Sequence, residues 1–171
     1  MLHLARLDAS NPEPLAEDVD LVELIDDIVR DAAFEAQARH IKVRWAPPAA
    51  PMTVRGNGAW LASAVENVVR NAVRSTAQGS EVEVVVSWLQ DATRIEVRDH
   101  GPGVPAAQLA RIFEPLHRVA ESRTRDSGAD GNGLAITARA VAADGGRVWA
   151  ENADEARLRV SLSLPRAPAC V

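Results

Sequence analysis

The sequence lacks the means to build a disulfide framework, because its 171 residues include a single cysteine, Cys170. One cysteine has no partner within the chain, and this composition fits a reducing compartment. The sequence also lacks an apolar run long enough to span a bilayer, and residues 1–10 lack the basic start and apolar centre of a secretion signal. We therefore expect any membrane anchor to lie outside this sequence.

Positive charge is also scarce, since 19 lysine and arginine residues face 24 aspartate and glutamate residues, for a formal net charge of -5. Binding to nucleic acid or to an anionic membrane is driven by neutralising phosphates, so this balance argues against both as partners. An anionic ligand would have to be held by local groups. The length and the 47% hydrophobic content predict one domain with a sizeable core.

Three segments carry apolar residues at helical spacing, and Asp20 is placed to cap the first of them. The second covers residues 59–75 and the third runs from Leu134 to Ala143. We expect each helix to pack one face on a sheet. The apolar stripe of the first helix is Leu21, Leu24, Ile25, Ile28, Val29 and Ala32, and that of the second is Leu61, Val65, Val68 and Ala72.

Between the helices, alternating apolar and polar residues predict strands, and Pro105 suits the first position of a short helix that carries Leu109 and Ile112. This order of elements predicts an α+β fold, a two-layer α/β sandwich whose mixed, mostly antiparallel sheet is covered by helices on one face. The predicted strands are residues 41–45, 52–55, 81–88, 93–99, 147–150 and 158–164.

One carboxylate, that of Asp99, falls on the apolar face at the end of a predicted strand and is followed by Gly101 and Gly103. A buried carboxylate needs a donor, and glycine backbone lets a flat ligand approach closely. The exocyclic amine of a purine would serve as that donor. The alternative interpretation is an ordinary Asx turn, in which the side chain bonds its own backbone.

Asn67 and Asn71 lie four residues apart on one face of the second helix, with Arg74 one turn further on. Two amide oxygens suit a partly hydrated magnesium ion that is already bound to phosphates, and the arginine can reach those phosphates. The alternative is a solvated helix face with an ordinary Glu66–Arg70 ion pair.

Gly131, Asn132 and Gly133 precede the third helix. Free amides and the helix dipole attract anions at such a start, which makes it a candidate phosphate site. The alternative is a glycine pair before an N-cap. The polar segment before it could close over a triphosphate through Arg118, Arg123 and Arg125, although Asp126 and Asp130 oppose this by like charge.

In order along the chain, residues 66–72, 99–103, 112–118 and 128–136 resemble the N box, the first glycine box, the F box and the second glycine box of sensor histidine kinases. Through these motifs the chain resembles the catalytic and ATP-binding domain of such kinases. That domain belongs to the GHKL or HATPase_c superfamily, which has a Bergerat-type fold. Residues 66–72 are most similar to the Cpx-type envelope-stress kinases.

The resemblance also divides the chain. Residues 1–17 are expected to be the end of a dimerisation helix, similar at Leu4 to Asp8, with a linker, residues 18–166 the ATP-binding domain, and residues 167–171 a tail. As in the family, the domain is expected to be the cytoplasmic portion of an inner-membrane bacterial sensor kinase, with a response regulator as a partner.

For the site, the resemblance implies that Asp99 reads the adenine amino group of ATP and that Asn71, helped by Asn67, coordinates Mg²⁺. Arg74 takes the place of a phosphate-contacting residue, and residues 114–132 form a lid over the nucleotide. The other residues expected to contact the nucleotide are Gly101, Gly103, Val104, Ile112, Arg118, Gly131, Asn132, Gly133 and Leu134.

The implied reaction transfers the γ-phosphoryl group of ATP to a histidine on a separate dimerisation domain, because a phospho-acceptor histidine box is absent from this sequence. Asn71, Arg74 and Glu66 are the expected catalytic residues, with Glu66 polarising or orienting the reacting groups. Two alternatives stay open: an anti-sigma-factor serine kinase, and a nucleotide-binding module without catalysis. The second is motivated by Ser75, which replaces an aromatic residue, and by Asp130.

Overall fold

The structure of the protein, a computed structural model, describes residues 16–117, 132–153 and 157–167. The predicted remnant at residues 4–8 and Cys170 lie outside these ranges. The α-helices are α1 (Leu21–Ala36), α2 (Gly58–Ser75) and α3 (Gly133–Ala143). The strands are β1 (Glu17–Asp20), β2 (Lys42–Trp45), β3 (Thr53–Gly56), β4 (Glu81–Trp88), β5 (Ala92–Arg98), β6 (Arg147–Ala153) and β7 (Arg157–Pro165).

Five of the strands form one sheet in the order β2-β4-β5-β7-β6. Strand β2 lies parallel to β4, and the other neighbours in this sheet are antiparallel. A separate antiparallel pair joins β1 to β3. The predicted α+β fold is therefore confirmed, with a second small sheet added. The sequence pattern misses β1, because its four residues contain one apolar side chain, Val19, which cannot show an alternation.

The core lies between the helices and the five-stranded sheet. The predicted stripe of α2 is fully buried, and the α1 stripe is buried at four of its six positions, with Leu24 and Ile28 partly buried. Ile95 and Leu162 face these helices from the sheet and are 0% exposed. Because a fully buried side chain of this size stabilises the fold by roughly 1.5–3 kcal/mol, the core fixes how α2 sits on the sheet.

Both ends of α2 are held by hydrogen bonds. At its start, the Asn57 side chain caps the helix by accepting the Trp60 N–H at 3.0 Å. At its carboxyl end, the Arg39 guanidinium donates to the carbonyl oxygens of Val73 in the last turn at 2.8 Å and of Thr76, just past the helix, at 2.8 Å. A cation at the carboxyl end of a helix satisfies carbonyl groups that have no partner within the helix. It also interacts favourably with the negative end of the helix dipole. The position and length of α2 are therefore well determined.

The segment after Pro105 differs in detail from the prediction. Instead of one short helix, it forms two 3-10 turns, Ala106–Gln108 and Arg111–Phe113. A segment this short cannot recover the cost of starting an α-helix, so isolated turns are the better solution. Among the described residues, no helix has both the length and the apolar character needed to cross a membrane.

Candidate functional site

Asp99 lies directly after β5 and is 2% exposed, as its position on the apolar face predicts. Its Oδ1 atom accepts hydrogen bonds from the Gly101 N–H at 3.0 Å and the Leu158 N–H at 3.3 Å. Its own N–H donates to the Leu158 carbonyl at 3.0 Å. In the described part of the chain both bonds to the carboxylate end on Oδ1, so the Asx turn that the sequence offered as the alternative is present, and Oδ2 accepts no hydrogen bond from these residues.

Burial raises the pKa of the Asp99 carboxyl above its ordinary value, because the charged form is removed from water. The hydrogen bonds from Gly101 and Leu158, and then the nearby His100, act in the opposite direction. Burial is the largest of these effects. The ionised carboxylate is therefore under-solvated where it stands, and a ligand that donates a hydrogen bond to Oδ2 would relieve that cost.

The loop after Asp99 is seated on the carboxyl end of α2. A Cβ atom on Gly101 would collide with the Ser75 carbonyl oxygen, so this position requires glycine. The His100 N–H donates to the Thr76 hydroxyl at 3.2 Å, and the Ala77 N–H donates to the His100 carbonyl at 3.2 Å. Gly103 adopts a positive φ of 73°, which glycine accepts without strain. The two predicted glycines thus serve a close approach and a turn.

Asn67 and Asn71 are half-buried on α2, and Arg74 is exposed. A Cβ atom on Gly133 would stand 3.3 Å from Asn67 Oδ1, so the start of α3 lies against this amide. One turn further along α3, the Thr137 hydroxyl donates to the Ala64 carbonyl at 3.1 Å. The structure therefore brings Asn67 and the predicted anion site at the start of α3 together, and Asn71 follows one turn further along α2.

Glu66 lies on the other edge of α2, toward α1. The Arg70 guanidinium bridges the carboxylates of Glu35 at 2.8 Å and Glu66 at 3.4 Å. The Glu66–Arg70 pair that the sequence offered as an alternative is therefore present, and it holds the Glu66 carboxylate on the α1 side. The catalytic role expected for Glu66 stays a prediction.

The remaining residues predicted to contact the nucleotide differ in burial, and several lie outside the described residues. The Leu116 N–H donates to Asn132 Oδ1 at 3.2 Å, which joins the F-box segment to the start of α3. Val104 and Leu134 are half-buried, whereas Ile112 is buried in the core. The predicted residues Arg118, Arg123, Arg125, Asp126, Asp130 and Gly131 lie outside the described residues, as does most of the expected lid.

Helix α2 forms a wall that both ends of the candidate site share. Asn67 touches the start of α3, and Ser75, eight residues later, touches the loop that follows Asp99. At a rise of 1.5 Å per residue, these two points are about 12 Å apart along the helix. The arrangement offers a buried acceptor at one end and, at the other, the first amides of α3, which have no partner within their helix. An elongated ligand with a donor at one end and an anionic group at the other matches these two ends.

Three positioning side chains have no signal in the sequence: Thr76, Thr137 and Asn152 are single polar residues outside the motifs. Thr76 and Thr137 fasten the loop and α3 to α2, as described above. The Asn152 side chain fastens Val104, donating to its carbonyl at 2.6 Å and accepting its N–H at 3.1 Å. Only their tertiary partners reveal them.

The two glycines at the ends of this wall predict different responses to the same substitution. Gly101→Ala places a methyl group against rigid backbone and should lower the free energy of unfolding by about 1–3 kcal/mol. Among the described residues, Gly133→Ala meets only the flexible Asn67 side chain, and it gains helix propensity, so it should stay within about 0.5 kcal/mol of the parent protein. Urea unfolding of both variants checks this, and equal stabilities would contradict it.

Comparison with known protein families identifies relatives of this chain. The family described as "Histidine kinase-, DNA gyrase B-, and HSP90-like ATPase" matches residues 56–168. The sensor histidine kinase CpxA of Escherichia coli (strain K12) is 36% identical over 151 residues, which are 88% of this chain and 33% of that protein. The chain thus spans about a third of the length of this curated relative.

Solved structures agree. A mycobacterial sensor histidine kinase, MprB, superposes with a TM-score of 0.80 at 27% identity, covering 89% of this chain and 99% of that one. Full-length ShkA in complex with AMPPNP gives a TM-score of 0.80 at 28% identity, covering 98% of this chain and 34% of that one. The chain therefore belongs to the histidine kinase, DNA gyrase B and HSP90-like ATPase family and is homologous to the ATP-binding catalytic domain of sensor histidine kinases, as its four motifs predicted.

Proposed function

We propose that this chain binds ATP with Mg²⁺ along α2 and supplies the catalytic half of a histidine kinase, which transfers the γ-phosphoryl group to a histidine on a separate dimerisation domain. The observation that carries the proposal is the Asp99 carboxylate, which is 2% exposed and keeps Oδ2 available at the end of β5 among the described residues. The names of the relatives, which are sensor histidine kinases, support it over a serine kinase.

Asp99 suits the base of the nucleotide. Adenine carries an exocyclic amine that donates hydrogen bonds, whereas guanine carries a carbonyl oxygen at the equivalent position. A carboxylate facing that position accepts from adenine and repels guanine. Because Gly101 and Gly103 have no side chains, a flat ring can approach the backbone beside Asp99. We therefore infer a preference for adenine nucleotides.

The start of α3 suits the phosphates. The first N–H groups of a helix have no partner within it, and together with the helix dipole they attract anions. In this chain they belong to Gly133 and Leu134, preceded by Asn132. Arg74 on α2 is exposed and adds a positive charge that can reach the phosphates. These local groups would hold a polyanion on a chain whose net charge is -5.

The residues present also fit magnesium. Neutral amide oxygens are suitable ligands for this hard cation when it arrives with phosphates, and Asn67 and Asn71 present two of them on one helix face. Gly133 leaves the space beside Asn67 Oδ1 open, since a Cβ atom there would be only 3.3 Å away. Asn71, helped by Asn67, would hold the ion. When bound, magnesium neutralises charge that develops on the phosphates.

In phosphoryl transfer, this chain would mainly position the reacting groups and would form no covalent bond itself. Asn71 and Arg74 would orient and neutralise the triphosphate, and Glu66 would polarise or orient the reacting groups after leaving Arg70. The acceptor histidine comes from the dimerisation domain, and a response regulator then takes the phosphoryl group. The parent protein would be a membrane sensor kinase of which this chain is a cytoplasmic portion.

Asp99→Asn tests the nucleotide proposal. The substitution replaces the acceptor that faces adenine with an amide, so ATP binding should weaken by roughly 10- to 150-fold, the range for losing a hydrogen bond to a charged group. Calorimetric titration with ATP measures this, and GTP should bind poorly to the parent protein. An unchanged affinity for ATP in the variant would refute the role of Asp99.

The same variant has a built-in test that it is folded. Because burial raises the pKa of Asp99, its ionised form costs stability in the folded state; this cost is absent below the ordinary value of 3.8 and grows as the pH rises through the raised value. Asp99→Asn should therefore melt at or above the parent temperature at neutral pH and lose that advantage below about pH 4. A melting temperature well below the parent's would mean the binding result reflects misfolding.

Asn71→Ala tests the magnesium site. In the parent protein, Mg²⁺ should strengthen ATP binding relative to the same titration in EDTA, and Asn71→Ala should largely abolish that difference because a ligand is lost. Arg70→Ala is a matched control, since it changes the preceding residue, removes the two surface ion pairs with Glu35 and Glu66, and should keep the Mg²⁺ effect. A full Mg²⁺ effect in Asn71→Ala would assign the ion to other ligands.

Phosphoryl transfer is tested by mixing the chain with the histidine-bearing dimerisation domain of its own kinase and ATP labelled at the γ-phosphate. Acid-labile, base-stable label should appear on the added domain, and none on this chain alone. Nucleotide binding without any transfer would favour the alternative of a binding module. Acid-stable phosphoserine on a protein substrate would favour the serine kinase.

A further inference from the structure

Asn152, near the end of β6, makes two hydrogen bonds to the backbone of a single residue, Val104. Its Nδ2 donates to the Val104 carbonyl at 2.6 Å, and its Oδ1 accepts the Val104 N–H at 3.1 Å. A side-chain amide has one donor group and one acceptor, so this pairing uses it as a substitute for a peptide group of a neighbouring strand. Val104 closes the glycine loop that starts at Asp99, so the far end of that loop is fastened here.

The two ends of this loop are attached to the same place in the sheet. Asn152 pairs with Leu158 in the register of β6 and β7. Leu158 in turn accepts the Asp99 N–H at 3.0 Å and donates its own N–H to Asp99 Oδ1 at 3.3 Å. One rung of the sheet therefore holds Asp99 directly and Val104 through the Asn152 side chain.

Such fastening matters because the loop between them is intrinsically loose. Residues 100–103 include two glycines, and glycine loses more conformational freedom on ordering than any other residue. If the loop were held at Asp99 alone, a ligand would have to order the rest on binding. Order imposed beforehand by Asn152 removes part of that cost, and the gain is seen in affinity.

We propose that Asn152 is a positioning residue for the nucleotide base: through Val104 it holds the loop of residues 99–104 in the shape that admits adenine beside Asp99. The proposal rests on the ATP-binding function proposed above. It assigns to β6 a part in base recognition, although Asn152 lies outside the four motifs. Its contribution should be the same for ATP and ADP, because the loop borders the base end of the site and the phosphates lie toward α3.

A purely structural role for Asn152 would give a different result. Asn152 is exposed, so the loss of its hydrogen bonds should change the melting temperature of the ligand-free protein by only a few degrees. If the role of Asn152 were purely structural, its loss would change the melting temperature but leave the nucleotide affinity of the folded protein unchanged. A positioning role moves the affinity, and moves it equally for both nucleotides.

The test compares Asn152→Ala and Asn152→Asp with Glu151→Gln by calorimetric titration with ATP and with ADP. Asn152→Ala loses both hydrogen bonds, and we expect roughly 5- to 25-fold weaker binding of both nucleotides. Asn152→Asp keeps the acceptor but sets a carboxylate against the Val104 carbonyl, so it should bind at least as weakly. Within the described part of the chain, Glu151→Gln disturbs only the neighbouring ion pair with Arg159 at 2.9 Å, so this variant should bind both nucleotides like the parent protein.

Two results would overturn the proposal. One is parent-like affinity in both Asn152 variants while they remain folded. The other is a loss confined to ATP, which would place the effect at the phosphates. Failure of the parent protein to bind either nucleotide is a separate outcome, because it would remove the ATP-binding function itself and the role of Asn152 with it.

Discussion

The burial of one carboxylate organises this site. Asp99 is 2% exposed, and removing a carboxylate from water is costly unless donors surround it. The fold supplies two donors, the N–H groups of Gly101 and Leu158, and both meet the same oxygen. Burial raises the pKa of the carboxyl in spite of these two donors, because they replace the surrounding water only in part. In the proposed function a third donor, brought by the ligand, would complete the set, so the cost of burial would become a source of recognition.

That arrangement depends on α2 being fixed at both ends. The loop after Asp99 rests on Ser75 and Thr76, and α3 rests on Ala64 and Asn67. Any shift of α2 along its axis would therefore disturb the two ends of the site together. The Asn57 cap, the Arg39 guanidinium and the buried apolar stripe all oppose such a shift. The packing of the core thus determines the geometry of the site, because α2 connects the two.

The sequence predicted those features that depend on local periodicity. Alternation placed Asp99 on the buried face together with Ile95 and Val97, and helical spacing placed Asn67 and Asn71 on one face of α2. Spacing could not reveal Arg39 or Thr76, because each acts on a segment far away in sequence or across a turn. Their partners exist only once the chain has folded.

Strand β6 shows the same limit in one element. The predicted strand stops at residue 150, because Glu151 and Asn152 break the apolar pattern, whereas the structure continues it to Ala153. The extension comes from pairing with β7, which propensity does not record. The residue that the pattern left outside the strand is the one that reaches Val104. The strand prediction is therefore incomplete at Asn152, a polar residue whose side chain forms the hydrogen bonds to the Val104 backbone that a neighbouring strand would otherwise form.

The position of Glu66 bears on how such a site performs catalysis. Its carboxylate pairs with Arg70 on the α1 side of α2, with side chains 48% and 41% exposed. An exposed pair of this kind contributes about 0–1 kcal/mol, so releasing Glu66 toward a substrate would cost little. The amides of Asn67 and Asn71, by contrast, lie on the face of α2 that is proposed to meet the nucleotide. In the proposed phosphoryl transfer, which needs positioning and charge neutralisation more than proton removal, these amides could contribute without leaving an ion pair, whereas Glu66 would first have to leave Arg70.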